Sequence, residues 1–450
     1  MIRATRTELR RSTAGLAAPL LMAIGALHIG TIHDYWRGSL VLATHEMATG
    51  LAFLAPFAVA FGAMLGRRER RTRAMELLES TGRPGWQRSL PPAAAIGLAA
   101  AGAYLLVVAA CAVAVGLSGG HLAVAGAVPP LSGALILTGL AWLGIAAGRA
   151  WPSPILPPVL AAGILVLPVL VRQRPDVYNR WTNLAFAATP GPATPWEAPT
   201  TAALLAHLAL AAGLTTAGFL LIAGRSWRSR SAAGAALAAG LAGLVLIASP
   251  GAAGKWRLDP AAQRLVCADG TPEVCVTAAH RYLLADVVPD VRRALDALAV
   301  LPDAPTRAAE IRLSAIGDRS MNQWYRFTPD DEPGTVYFVL DPDYAAGRDP
   351  SVAERIAMGG GTYLSRCGPQ NDVALSVTGA WLLGADDFRV WQPGFGYQAW
   401  DAIRPEIRQR LTALRALPEA EQLARVTAVR DAARRCAPDL MAPLTGAVAS

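Results

Sequence analysis

His28, His33, Asp34, His45 and Glu46 fall near the ends of two long apolar runs, and His207 lies deep inside a third. An ionisable side chain within such a run is costly, so by default it marks a proton or cation site. Close to the end of a run water can satisfy the group, and the plainer reading of the first five residues is structural. His207 is the deepest and the better single candidate for a functional polar group, although a hydrogen bond to a neighbouring helix is its plainer role. The polar intramembrane candidates are therefore His28, His45, Glu46 and His207.

Other chemistry is missing at the spacing it needs. A phosphate-cradling GxxxxGK[ST] loop does not occur, and Gly251-Ala-Ala-Gly254-Lys255 is too short to serve as one. His45-Glu46 opens a stretch that has Thr49 where a zinc-protease helix needs its second histidine. Gly359-Gly-Gly361, within a helix-like stretch, and Asp386-Asp387 could line a cleft; a flexible joint and a solvated turn are the simpler readings. No catalytic residue, metal site or cofactor is assigned, and the chain reads as no enzyme in its own right.

Cys267, Cys275, Cys367 and Cys436 all follow residue 250, whereas Cys111 lies in an apolar run. Four cysteines in one polar region suit an oxidising compartment. Cys267 and Cys275 sit on two short strands joined through Gly270-Thr-Pro272, so they are paired here, and Cys367 then pairs with Cys436; other pairings stay open. Zinc is the rival, but no CxxC occurs and His280 is the single histidine of that region.

Between two apolar runs lies Arg67 to Leu90, where seven arginines face Glu69, Glu76 and Glu79. So basic a loop stays on the cytoplasmic side of a membrane. Ala74, Leu77 and Leu78 follow helical spacing, and Gly82 with Pro84 supplies a stop. A basic loop that binds anionic lipid is one reading. The other comes from the Met-Glu-Leu-Leu-Glu-Ser-Thr core at Met75 to Thr81: this loop resembles the one after the second transmembrane helix in permease subunits of ABC-type (ABC-2-like) exporters. The resemblance implies a separately encoded ATPase as partner, docking on the loop, with Glu69, Glu76, Leu77 and Leu78 as the coupling contacts. It covers residues 10–230 as architecture and this loop as motif.

The elements that must position these groups are about seven transmembrane helices. Apolar runs cover about Thr13–Ile32, Thr44–Leu65, Pro92–Leu117, Leu131–Ala147, Ile155–Val171, Thr201–Ala223 and Ala232–Ala248, each near the roughly 20 residues that a bilayer crossing needs. With seven crossings and a cytoplasmic N-terminus, 15 arginines flank the inner ends and four the outer ones. That asymmetry favours this orientation and sends everything after Ala248 outside.

The net charge of +8 does not signal nucleic acid. Before residue 250 there are 19 arginines against eight acidic residues; after it, 22 basic against 25 acidic. The excess belongs to membrane loops. From about Gly254 acidic residues become frequent and no run is long enough to span. Strands at Gln263–Thr277 and Thr335–Asp341 and helices at Asp286–Leu301, Ser351–Arg366, Asp372–Leu383, Ala399–Leu414 and Glu419–Arg435 make this an α+β domain dominated by helix. The expected architecture is an α-helical polytopic membrane protein, residues 1–249, followed by an extracytoplasmic α+β domain, residues 250–450. The expected function is that of a plasma-membrane permease subunit in contact with the lipid bilayer, working as a homodimer or with a paralogous permease. The alternatives are a membrane-anchored hydrolase and a ligand-binding sensor or immunity protein.

Overall fold

The computed structural model describes residues 2–71, 84–123, 126, 128–172, 194–224, 226–248, 256–312, 332–340, 342–345, 347, 349–363, 371–390 and 396–446. The chain divides into two compact units. One holds residues 1–118 and 122–257; the other holds 119–121 and 258–450.

The first unit is helical: α1 (Ile2–Arg11), α2 (Thr13–Thr31), α3 (His33–Trp36), α4 (Leu40–Arg71), α5 (Gly85–Leu117), α6 (Pro129–Ala150), α7 (Leu156–Arg172), α8 (Thr201–Ala223) and α9 (Trp227–Ala248). Local chemistry sets several of the boundaries. Ser12 caps α2 by accepting from the amide of Ala14, Thr200 caps α8 by accepting from that of Ala203, and proline opens α6. Six of these helices, α2, α4, α5, α6, α8 and α9, are long and apolar enough to cross a membrane. The expected fifth span is α7, which is apolar but has only 17 residues. Among the described residues, large exposed apolar side chains such as Leu16, Leu27, Leu106, Leu205 and Leu246 concentrate in this unit, with Val300 the one in the other. Water would not tolerate so wide an apolar surface, but hydrocarbon would.

Backbone approaches backbone between α4 and α6. A Cβ added at Gly62 or Gly66 would fall 2.0 or 2.2 Å from the carbonyl oxygens of Ala141 and Ile145. One added at Gly144 or Gly148 would fall 2.2 Å from those of Val59 and Ala63. These are two interlocked glycine pairs, each spaced by four residues, the spacing that lets helices pack without side chains between them. In α9, Gly240 meets Gly213 of α8, whereas Gly234 faces open space.

Hydrogen bonds fix which helix ends lie together. Ser89 Oγ, at the start of α5, donates to the carbonyl of Ile222 at the end of α8 over 2.8 Å. Arg149, at the end of α6, donates to the same carbonyl at 2.9 Å. At the other end, Ser118 Oγ after α5 donates to the carbonyl of Arg37 at 2.9 Å. The ends of α4, α6 and α8 thus share one face with the start of α5.

In the second unit, β3 (Leu265–Ala268) and β4 (Glu273–Thr277) form an antiparallel hairpin with Cys267 opposite Cys275, and these two cysteines are disulfide-bonded. β5 (Arg307–Glu310) and β6 (Thr335–Phe338) add in parallel to give the order β3-β4-β5-β6. The connection from β4 to β5 runs through α10 (Leu284–Leu298), whose Val287, Val291, Leu295 and Leu298 pack on Val274, Ala308 and Val336 of the sheet. Then follow α11 (Pro342–Ala345), α12 (Val352–Ala357), α13 (Asp372–Leu382), α14 (Gln398–Arg415), α15 (Glu419–Arg434) and α16 (Met441–Thr445). The unit is α+β with helix dominating.

The helix expected over Ser351–Arg366 ends at Ala357. Gly359, Gly360 and Gly361 have φ of 59°, 69° and 87°, a left-handed run that no α-helix contains. Gly360 packs on Arg430, which is 2% exposed. The Arg430 guanidinium donates to the carbonyls of Pro302 and Asp303, and burial pushes its pKa down to about 10.

Candidate functional site

The face where α4, α6 and α8 end carries a charged node. Arg149 Nε donates to Glu69 Oε2 at 2.6 Å, and its Nη1 reaches Ile222 O at 2.9 Å and Ser89 Oγ at 3.3 Å. Arg70 Nη1 donates in turn to the carbonyl of Arg149 at 2.8 Å. The Glu69 and Arg149 side chains are 16% and 14% exposed, so the pair is shielded but not dry. One guanidinium thereby ties together four helix ends, among them the end of α4 and the start of α5, between which the loop expected to dock a partner runs. Of the four expected coupling contacts, Glu69 belongs to this node; Glu76, Leu77 and Leu78 lie outside the described residues.

The opposite face carries a mostly apolar cavity of about 40 Å³ into which a few polar groups reach. Thr44 and His45 of α4, Ser132 and Gly133 of α6, His207 of α8 and Trp256 line it. Trp256 opens β2 (Trp256–Leu258), which pairs with β1 (Glu197–Pro199). His45 is buried, and its ring meets that of Trp256 edge-on, with centroids 5.4 Å apart. His45 is the sixth residue of α4 and His207 the seventh of α8, which at about 1.5 Å per residue puts both some 8–9 Å inside the helix starts.

The two histidines that the sequence offers separately therefore border one cavity. His28 and Glu46 stand apart from it. His28 Nε2 contacts the carbonyl of Glu46 at 3.1 Å, and its ring lies 5.4 Å from that of Phe53. Glu46 Oε2 accepts from Thr49 Oγ1 at 3.3 Å. His28 also borders a hollow of about 510 Å³ between α2, α4 and α7 whose walls, Phe53, Phe57 and Leu165 among them, are apolar. His33 and Asp34 are half exposed and 3.5 Å apart.

In the second unit, Glu310 is fully buried at the end of β5. Its Oε2 accepts from the amide and hydroxyl of Thr277, at 2.7 and 2.8 Å, and its Oε1 lies 2.5 Å from His280 Nδ1. A carboxylate that orients an imidazole is the arrangement of a general base. Placed where β4 and β5 end, it also locks the two strands. In the sequence His280 stands out only as the single histidine of this region, too few for a zinc site. Cys436 is disulfide-bonded, while Cys367, its expected partner, lies outside the described residues. Cys111 is a free, buried thiol. Asp386 and Asp387 are held by arginines of α14. Arg415 reaches Asp386 at 2.5 Å, and Arg404 chelates Asp387 at 2.6 and 2.5 Å.

Neither the scan of family models nor the searches of curated proteins and solved structures returned a match to this chain.

Proposed function

We propose that this chain is the membrane-spanning permease subunit of an ABC-type exporter, set in the plasma membrane and driven by a separately encoded ATPase that docks on residues 67–90. The observation that carries this reading is the Glu69–Arg149 node. The helix that enters the docking loop is clamped at its last turns to the ends of α6 and α8 and the start of α5, so a force applied to the loop reaches four helices at once.

The same node supports seven crossings. The ends of α6 and α8 share a face, so α6 and α8 run in the same direction. The chain between them must therefore return across the bundle, and α7 is the apolar helix available to do so. At about 1.5 Å per residue its 17 residues span about 25 Å, at the short end of what a bilayer accepts. On this path the 15 arginines gather at the face of the node, which becomes cytoplasmic together with the N-terminus. The second unit is then extracytoplasmic, in keeping with its disulfides. A second copy or a paralogous permease completes the pathway.

The test replaces Leu77 and Leu78 by alanine. The variant should insert and express normally, yet fail to co-purify with the ATPase and lose its stimulated hydrolysis, since truncating buried leucines costs a few kcal/mol. An alanine pair that keeps a normally coupled ATPase would hand the loop to lipid binding. A second reading, an anchored extracytoplasmic hydrolase, draws on the His280–Glu310 pair alone. Hydrolysis by the purified protein that disappears in His280→Ala would favour it.

A further inference from the structure

In and behind the wall of the cavity bordered by His45 and His207 are two buried donors that nothing described satisfies. Trp256 is 9% exposed and lines the cavity, and its indole Nε1 has no hydrogen-bond partner among the described residues. Tyr104 of α5 is 2% exposed, and its hydroxyl is in the same position. That hydroxyl lies against the lining residue Gly133, so close that a Cβ there would fall 2.6 Å from it. An indole N–H can only donate, and a buried donor left unmade is costly, so the site calls for an acceptor. There is room for one: a cavity needs roughly 10–15 Å³ to hold a water, and this one has about 40 Å³.

The kind of acceptor follows from the rest of the lining. The hydroxyls of Thr44 and Ser132 already spend their hydrogens on the carbonyls of Leu40 and Pro129, at 2.9 and 2.8 Å. Among the described residues no carboxylate, lysine or arginine lines the cavity; the ionisable side chains there are His45 and His207, and an imidazole can become only positive. A bare cation would find no counter-charge among the described lining residues and an indole donor facing it. A carboxylate would find an indole N–H and two imidazoles, with the Tyr104 hydroxyl behind Gly133.

We propose that this cavity binds a carboxylate group held by the Trp256 indole N–H, its charge met by one proton taken up with it on the imidazoles of His45 and His207. Where the permease reading holds, this makes organic acids the class of transported solute. Among the described residues, α5 offers Tyr104 and β2 carries the exposed Arg257 beside Trp256. The carboxylate on β1, Glu197, stands two residues before the lining Pro199 and accepts from the amide of Thr194 at 3.2 Å. Because a proton is taken up together with the anion, affinity falls as pH rises.

The experiment is calorimetric titration of the whole protein in lipid nanodiscs with sodium acetate, sodium hexanoate and zinc chloride, at about pH 5.5 and about pH 8. No ATPase is present, so failure here is separate from failure of the docking test. Saturable carboxylate binding should appear at the lower pH and weaken about tenfold at the higher. Trp256→Phe, which keeps the ring against His45, should weaken it about tenfold, the worth of one hydrogen bond to an anion, and His207→Ala by more. Melting temperatures near that of the parent protein show that the variants are folded. Hexanoate binding tighter than acetate assigns the site to the head of a longer acid; equal binding assigns it to small free acids. Absence of carboxylate binding through the millimolar range overturns the proposal. So does binding untouched by both substitutions, or a zinc site lost in His207→Ala with no carboxylate bound.

Discussion

Glu69 and Arg149, 80 residues apart, meet at 2.6 Å where α4 and α6 end. Glu69 reads in sequence as a contact offered outward to a partner, yet its carboxylate is turned into the bundle. On the docking reading, a pull on the end of α4 would reach Arg149, and through it Ile222 and Ser89.

That relationship predicts coupling between the two residues. In a double-mutant cycle of Glu69→Gln and Arg149→Met, followed by unfolding in detergent, the interaction energy should be about 1–3 kcal/mol, as for shielded pairs that share a network. Arg149→Met alone should be the more damaging change, because it also leaves the Ile222 carbonyl with one donor fewer. Strictly additive effects would mean that the node contributes nothing.

Gly62→Leu or Gly144→Leu should destabilise the helical unit by about 3 kcal/mol or more, since the new side chain has to displace a carbonyl and not another side chain. Gly234→Leu, on open surface, should be nearly neutral. Melting temperatures of the three variants read this directly. Equal effects at all three positions would contradict the close approach of α4 to α6.

Orientation can be read with single cysteines at exposed positions in a background lacking Cys111. Ser226→Cys, after the end of α8, should be shielded from an impermeant thiol reagent in intact cells, and Ala420→Cys in α15 should react. The reverse pattern would invert the topology that the arginine asymmetry gives.

Asp387 gives the second unit a dependence on acid. Burial opposes its ionisation, but the hydrogen bonds from Arg404 and the charges of Arg408 and Arg389 outweigh this and hold its pKa below the ordinary aspartate value. A lowered folded-state pKa contributes stability that is full above the unfolded value of about 3.9 and is lost as pH falls through the folded one. Asp387→Asn should therefore lower the melting temperature at neutral pH and flatten its fall on acidification. An unchanged acid limb would remove Asp387 from the account.

Much of the fold was legible because it is written locally. A run of lipid-length apolar residues is a matter of composition, and the β3–β4 hairpin announces itself through alternation, a Gly-Thr-Pro turn and two cysteines. Arg-Ala-Ala-Glu at β5 has no strand preference of its own; pairing between β4 and β6 makes it a strand. The apolar spacing continues around the glycines at 359–361 and suggests a helix-like stretch, whereas their backbone is left-handed. The site was less legible. His45 and His207 are each visible as a polar residue in an apolar run, but nothing local says that they share a cavity. Trp256 and Tyr104 look like ordinary interface and core aromatics until the burial of their polar atoms is seen.

The interlocked glycines of α4 and α6 also decide where this bundle can bend. A seam filled with side chains can repack in several ways as rotamers change, but a seam of main chain against main chain has a single arrangement. The two helices therefore behave as one stiff plank running from the Arg149 face to the His45 face. On the permease reading, movement at one face would be carried to the other as by a lever, and an opening would form where α2, α5 or α8 leans against the plank.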